Sequence, residues 1–196
     1  MTRTFIALEM NEALQRRLHG VIRQVAPMLP DLRWVDPQSI HLTLAFLGEL
    51  NQPQLSAAIT ATQITAQQIP AFTYRLTRLN IFGTSRQPRV LWMGIEEPAD
   101  ALKRLHSILQ VQLEQRAFAT DRRPFSPHLT LARGKNLLQP DEHAFMQKLL
   151  TDEHEQFTSS QAYPAAHLQV MKSELTRAGA KYTCLHSYSL HKSLKS

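Results

Sequence analysis

The tetrapeptide His41-Leu42-Thr43-Leu44 returns unchanged as His128-Leu129-Thr130-Leu131, 87 residues later in a chain of 196. Residues two apart in a β-strand share a face, so in each copy the His and the Thr point one way and both Leu the other. The leucines fit a core, and the opposite face offers one imidazole beside one hydroxyl. Two such faces suit cleavage of a phosphodiester. There a base takes a proton from the attacking oxygen while an acid gives one to the departing oxygen, and in-line attack puts the two on opposite sides of phosphorus.

The segments around the two copies follow one plan. Phe5-Ile6-Ala7-Leu8 reads as a short buried strand, and Leu14, Leu18, Val21, Ile22 and Val25 keep helical spacing up to Pro27. The first motif strand then runs from Ile40 to Leu47 and stops at Gly48. Pro53 suits a first helical turn, a helix through Leu55, Ala58, Ile59, Thr62 and Ala66 ends before Pro70, and Phe72 to Ile81 alternates like a strand. After the turn Gly83-Thr84-Ser85-Arg86-Gln87-Pro88, which reads as the seam between halves, the order repeats. A strand at Val90 to Ile95 precedes a helix from Pro98 with Leu102, Leu105, Leu109 and Leu113 on one side. The second motif strand, Pro127 to Leu131, leads to a helix at Asp141 to Leu150. Strands at His167 to Leu175 and Tyr182 to Leu190 flank a turn at Arg177-Ala178-Gly179-Ala180. The spacing from Phe5 to His41 and from Trp92 to His128 is 36 residues in both cases.

A strand, helix, motif strand, helix, strand unit used twice, plus a closing strand, predicts an α+β fold. Largely antiparallel sheets carry helices on their outer faces and leave a central cleft. Residues 1–196 form one bilobal domain with lobes at about 1–83 and 89–190, and strands can be exchanged between them. The tail His191-Lys192-Ser193-Leu194-Lys195-Ser196 is expected to fray.

Composition narrows the chemistry. An apolar content of 43% suffices for a core. The single Cys184 excludes an internal disulfide or a multi-thiolate metal site, which fits a reducing, cytoplasmic setting. No apolar run approaches the roughly 18 residues of a membrane span. The formal charge of +6 favours an anionic partner, and Arg116, Arg122, Arg123, Arg133 and Lys135 bracket the second motif. His19, His106, His143, His154, His167, His186 and His191 show no metal-ligand spacing. The motif histidines lack the neighbouring carboxylates or thiolates of a zinc site, and with six Gly the chain has no phosphate-cradling glycine loop.

The doubled His-x-Thr-x pattern resembles the signature of the 2H phosphoesterase superfamily. Arg33-Trp34-Val35, the run Ile40 to Gly48, the run Arg123-Pro124-Phe125-Ser126-Pro127 into His128 to Arg133, and Ser173-Glu174-Leu175 with Gly179 and Tyr182 narrow the likeness. They point to its bacterial RNA 2′,3′-cyclic phosphodiesterase, or 2′-5′ RNA ligase, branch. The resemblance implies pseudo-two-fold lobes and metal-independent, cofactor-free hydrolysis of RNA 2′,3′-cyclic phosphate ends to 2′-phosphomonoesters, with reversible 2′-5′ joining in some relatives. It also implies His128 as the base that activates water and His41 as the acid at the ribose 3′ oxygen.

Thr43 and Thr130 are then expected to donate to the non-bridging phosphate oxygens. Arg133 is a candidate phosphate ligand by resemblance, although strict alternation puts it on the side of Leu129 and Leu131, away from His128. Phe5, Trp34, Phe46 and Trp92 are candidate base-stacking rings, of which Phe5 and Trp92 better fit a core. The expected partner is RNA with a cyclic phosphate end, without a membrane. A groove between two lobes needs no second chain, so a monomer is expected. Two alternatives stand beside this reading: an RNA-binding module without turnover, and a 2H phosphodiesterase for a small cyclic nucleotide or a 2′-5′ oligonucleotide.

Overall fold

A computed structural model describes residues 1–97, 99–120, 123–151, 157, 160–176 and 179–191. Pro98, Arg122, His154, Arg177, Ala178 and residues 192–196 of the tail lie outside the described residues.

The strands are β1 (Thr2–Leu8), β2 (Arg33–Trp34), β3 (Leu42–Leu50), β4 (Phe72–Gly83), β5 (Pro88–Glu96), β6 (His128–Arg133), β7 (Tyr163–Ala165), β8 (His167–Thr176) and β9 (Gly179–Ser189). The helices are α1 (Glu12–Val25), α2 (Gln52–Gln68), α3 (Ala101–Glu114) and α4 (Pro140–Thr151). Two of them start on a side-chain cap that the sequence supplies. Asn11 Oδ1 accepts from the Leu14 N–H to cap α1. Asn51 and Gln54 exchange side-chain bonds with each other's backbone to cap α2, whose first turn holds Pro53. The five buried residues of α1 are Leu14, Leu18, Val21, Ile22 and Val25, as its spacing predicts.

The strands assort into two sheets, β3-β1-β8-β9 and β2-β6-β5-β4-β7, with every neighbouring pair antiparallel. The triplets β3-β1-β8 and β6-β5-β4 correspond: motif strand, first strand of the same repeat, last strand of the other repeat. Each repeat has lent its final strand to its twin. The turn at Gly83 to Pro88 therefore joins two adjacent strands of one sheet, and the seam expected there does not coincide with the division between sheets. Helix α2 packs on the β1, β3, β8 and β9 sheet and against α3, while α4 lies against β4.

Leu42, Leu44, Leu129 and Leu131 are all buried in one continuous core that draws on both sheets. Alternation holds through both motifs, since each His and Thr is only half-buried.

Three features differ from expectation. Gly48 does not end β3. It adopts φ +74 and continues the strand through a bulge, because Thr4 pairs with Gly48 while Phe5 pairs with Phe46. The short strands β2 and β7 carry no alternation to read, since two and three residues are below one useful period. β2 instead owes its position to long-range bonds. The buried Glu142 carboxylate accepts from the backbone N–H of Asp31 (3.0 Å) and of Gln139 (3.1 Å), and Val35 N–H donates to the Leu131 carbonyl (2.9 Å).

Candidate active site

Motif strand β3 is the edge of the first sheet and β6 stands next to the edge of the second, where β2 pairs only with Ala132 and Arg133. β3 and β6 approach each other directly. The two motifs therefore meet along one border.

The histidines are held alike. His41 Nδ1–H donates to the Ser39 carbonyl at 2.8 Å, and His128 Nδ1–H donates to the Ser126 carbonyl at 2.7 Å. A carbonyl only accepts, so this bond fixes the tautomer and leaves Nε2 as the nitrogen available for proton transfer. In both copies the acceptor lies two residues before the His, and in both it belongs to a Ser.

Aromatic rings immobilise each imidazole. His41 stacks on Phe5 at 4.5 Å and meets the edge of Tyr182 at 4.8 Å. His128 meets Phe82 edge-on at 5.0 Å and Trp92 at 5.8 Å. Phe5 is buried as expected, while Trp92 is only half-buried, and both rings wall a motif histidine. Sequence reading missed Phe82 and assigned Tyr182 no role, because only pairing of distant strands brings them to the motifs.

Burial pushes the His41 imidazole below the ordinary histidine range. The Ser39 carbonyl pulls it partly back, and the Arg133 guanidinium lowers it further. The charge of Arg133 thus reaches the histidine of the opposite sheet, and the alternation argument against Arg133 fails for a visible reason. Leu91 pairs with Ala132 but Trp92 pairs with Thr130, so Leu131 is an extra residue on β6. The bulge resets the phase: Leu131 and Ala132 are both buried, and Arg133 emerges on the side of Thr130. β3 has the same bulge at Leu44, with Ile6 opposite Ala45 and Ala7 opposite Thr43. The residue matching Arg133 is then Phe46, which is 72% exposed.

Arg33 sits directly opposite Arg133 in the β2–β6 register. Both are exposed, and neither has an ion-pair partner among the described residues. Like charges placed so repel, and an anion between them relieves the repulsion.

Thr43, Phe46, Phe82 and His128 line one cavity of about 510 Å³, which runs on between β3 and α3. Its members come from both sheets. Among the described residues no group of three His, Cys, Asp or Glu side chains is arranged to hold a metal, and no helix is long and apolar enough to cross a membrane.

Comparison with known proteins agrees with this geometry. Residues 15–177 match the model of the 2′-5′ RNA ligase superfamily. An RNA 2′,3′-cyclic phosphodiesterase of Thermotoga maritima is 30% identical over 150 residues, 76% of this chain and 76% of that one. Among solved structures, the protein TT0787 of Thermus thermophilus superposes with a TM-score of 0.77 at 25% identity, covering 97% of this chain and 99% of its own. Escherichia coli LigT in complex with 3′-AMP does so with a TM-score of 0.72 at 25% identity, covering 96% and 98%.

Proposed function

The chain belongs to the 2′-5′ RNA ligase superfamily, and on that premise we propose that it hydrolyses RNA 2′,3′-cyclic phosphate ends to 2′-phosphomonoesters without a metal. The observation that carries this reading is the duplicated hydrogen bond from Nδ1 to a carbonyl, at 2.8 Å in one motif and 2.7 Å in the other, which leaves two Nε2 atoms for one reaction. The Thermotoga maritima relative is named for this activity, and the Escherichia coli relative was crystallised with a ribonucleotide, 3′-AMP.

In the proposed step a water oxygen attacks phosphorus, its proton passes to His128 Nε2, and the bond from phosphorus to the 3′ oxygen breaks. His41 Nε2 gives its proton to that oxygen, so the products are a 3′-hydroxyl and a 2′-phosphate. In the free protein burial and Arg133 disfavour the protonated His41 this role requires. The substrate itself supplies the remedy: the negative charge of the cyclic phosphate opposes Arg133 and draws the proton onto His41. Thr43 and Thr130 donate to the non-bridging oxygens, where charge grows in the transition state, and Arg133 with Arg33 holds the anion. The lone cysteine, Cys184, supports a reducing cytoplasmic setting.

The test incubates the protein with EDTA and an RNA bearing a 2′,3′-cyclic phosphate end and identifies the terminal product. A 2′-phosphate is expected. A 3′-phosphate, dependence on added metal, or tight RNA binding with no product over hours would overturn the proposal. The cavity of about 510 Å³ also admits a free nucleotide, so 2′,3′-cyclic mononucleotides are assayed alongside; a higher kcat/KM for them would move the substrate from RNA ends to small molecules.

A further inference from the structure

One end of the second sheet gathers positive charge outside the cleft. Arg33 on β2, Arg133 on β6, Val90 on β5 and Phe82 on β4 stand in register across its face. Phe82 touches His128, so this row borders the site. Just past the row the chain turns through Gly83 to Pro88, and the segment after β6 lies along that turn. Gly134 N–H donates to the Arg89 carbonyl (3.1 Å) and Leu138 N–H to the Arg86 carbonyl (2.8 Å), while a Cβ on Gly134 would strike the Pro88 carbonyl. Ser85 Oγ, 3.2 Å from His143 Nε2, ties the turn to α4. Residues 83–89 and 132–138 hold Arg86, Arg89, Arg133 and Lys135 and no carboxylate.

These four cations and Arg33 are exposed, and none has an ion-pair partner among the described residues. The whole chain has 22 Lys and Arg against 16 Asp and Glu, so without these five the two signs would nearly balance. Such a one-signed surface on a firmly joined frame raises the local potential and attracts a polyanion. Arg33 and Arg133 suffice for the single phosphate of a cyclic end, which leaves Arg86, Arg89 and Lys135 unused. A mononucleotide has nothing to set against them. An RNA strand brings one further phosphate with every residue.

We infer that the RNA strand behind the cyclic end leaves the site past Arg133 and lays its next phosphates along Lys135, Arg89 and Arg86. The inference rests on the hydrolytic reading above and adds that the enzyme grips a chain, through contacts that are indifferent to base sequence.

The test compares a 2′,3′-cyclic mononucleotide with a tetranucleotide bearing the same cyclic end. In the wild type at low salt the tetranucleotide is expected to have the higher kcat/KM by about tenfold. Three phosphate contacts to a single strand give a log–log salt slope of about −2, so the tetranucleotide should lose about twentyfold between roughly 50 and 200 mM salt, beyond any loss of the mononucleotide. Arg86→Gln, Arg89→Gln and Lys135→Gln together should leave the mononucleotide rate unchanged, erase most of the length gain and flatten the slope. Each change alone should remove about 0.7 of the slope. Arg86→Lys with Arg89→Lys keeps both charges and should keep the slope, which separates charge from packing of the turn.

Wild-type kcat/KM that does not rise with length, or a length gain and slope that survive the three Gln substitutions, would overturn this inference while the hydrolytic reading stands. Absence of hydrolysis at both lengths would overturn the hydrolytic reading and this one with it.

Discussion

Replacing each motif histidine with asparagine separates its two jobs. Asparagine can still donate to the carbonyl of Ser39 or Ser126 in place of Nδ1, but it has nothing where Nε2 was. What the fold loses is the ring contact, with Phe5 at 4.5 Å for His41 and with Phe82 at 5.0 Å for His128. Aromatic pairs of this kind contribute about 0.5–1.5 kcal/mol. In a chain of this length 1 kcal/mol moves Tm by roughly 2–4 °C, so His41→Asn and His128→Asn should melt only a few degrees early. Each proton transfer contributes about 10²–10⁴ in rate, which at 1.36 kcal/mol per decade is about 3–5 kcal/mol of barrier.

A substrate with sulfur in place of the bridging 3′ oxygen divides the roles. A thiol has a pKa of about 8.5, far below that of an alcohol, so it leaves without being protonated. On that substrate His41→Asn should recover to within about tenfold of the wild type, while His128→Asn keeps its full loss of roughly 10²–10⁴. The assay is single-turnover cleavage followed by product separation. Rescue of His128→Asn instead would exchange the two roles, as the lowered pKa of His41 in the free protein would allow. Wild-type rates for either variant on the oxygen substrate would refute the reasoning.

Further expectations concern the neighbours of the two histidines. Because the folded pKa of His41 is lowered, the unfolded chain binds more protons than the folded one between that pKa and about 6.5, so stability rises with pH across the window and is lost as pH falls through it toward the folded pKa. Arg133→Gln removes one cause of the lowering and should flatten that dependence in urea titrations at a series of pH values; an unchanged profile would deny the coupling. Gly94 pairs with His128, and a Cβ on it would collide with Thr77 Oγ1. Gly94→Ala should therefore cost about 1–3 kcal/mol by overpacking and depress kcat, and Gly94→Ala with Thr77→Ala should regain much of both in denaturation and rate assays. Leu129→Ala empties a fully buried position and should destabilise by about 2–5 kcal/mol in chemical denaturation.

What could be read from the chain followed from periodicity. The helical spacing of Leu14 to Val25, the alternation in both motifs and the matched spacing from Phe5 to His41 and from Trp92 to His128 each report a local property, and each reappears in the elements described. Features that depend on partners far along the chain left no local mark. The bulges at Leu44 and Leu131 are defined by what the neighbouring strand does, so alternation alone put Arg133 on the wrong side. Phe82 and Tyr182 reach the histidines only through strand pairing. Gly48 looked like a stop because glycine weakens a strand interior, and the positive φ that lets it form a bulge is visible only in the fold.

The exchange of final strands has a mechanical meaning. A backbone cut within Gly83 to Pro88 would yield two pieces, neither holding all the strands of its own sheet: the first lacks β8 and β9, and the second lacks β2 and β4. Such pieces would have to recombine to regain activity, and neither histidine could be inherited as a working half. The interlock also means that each sheet draws strands from both sides of that turn, so neither motif strand has all the strands of its sheet on its own side of the cut.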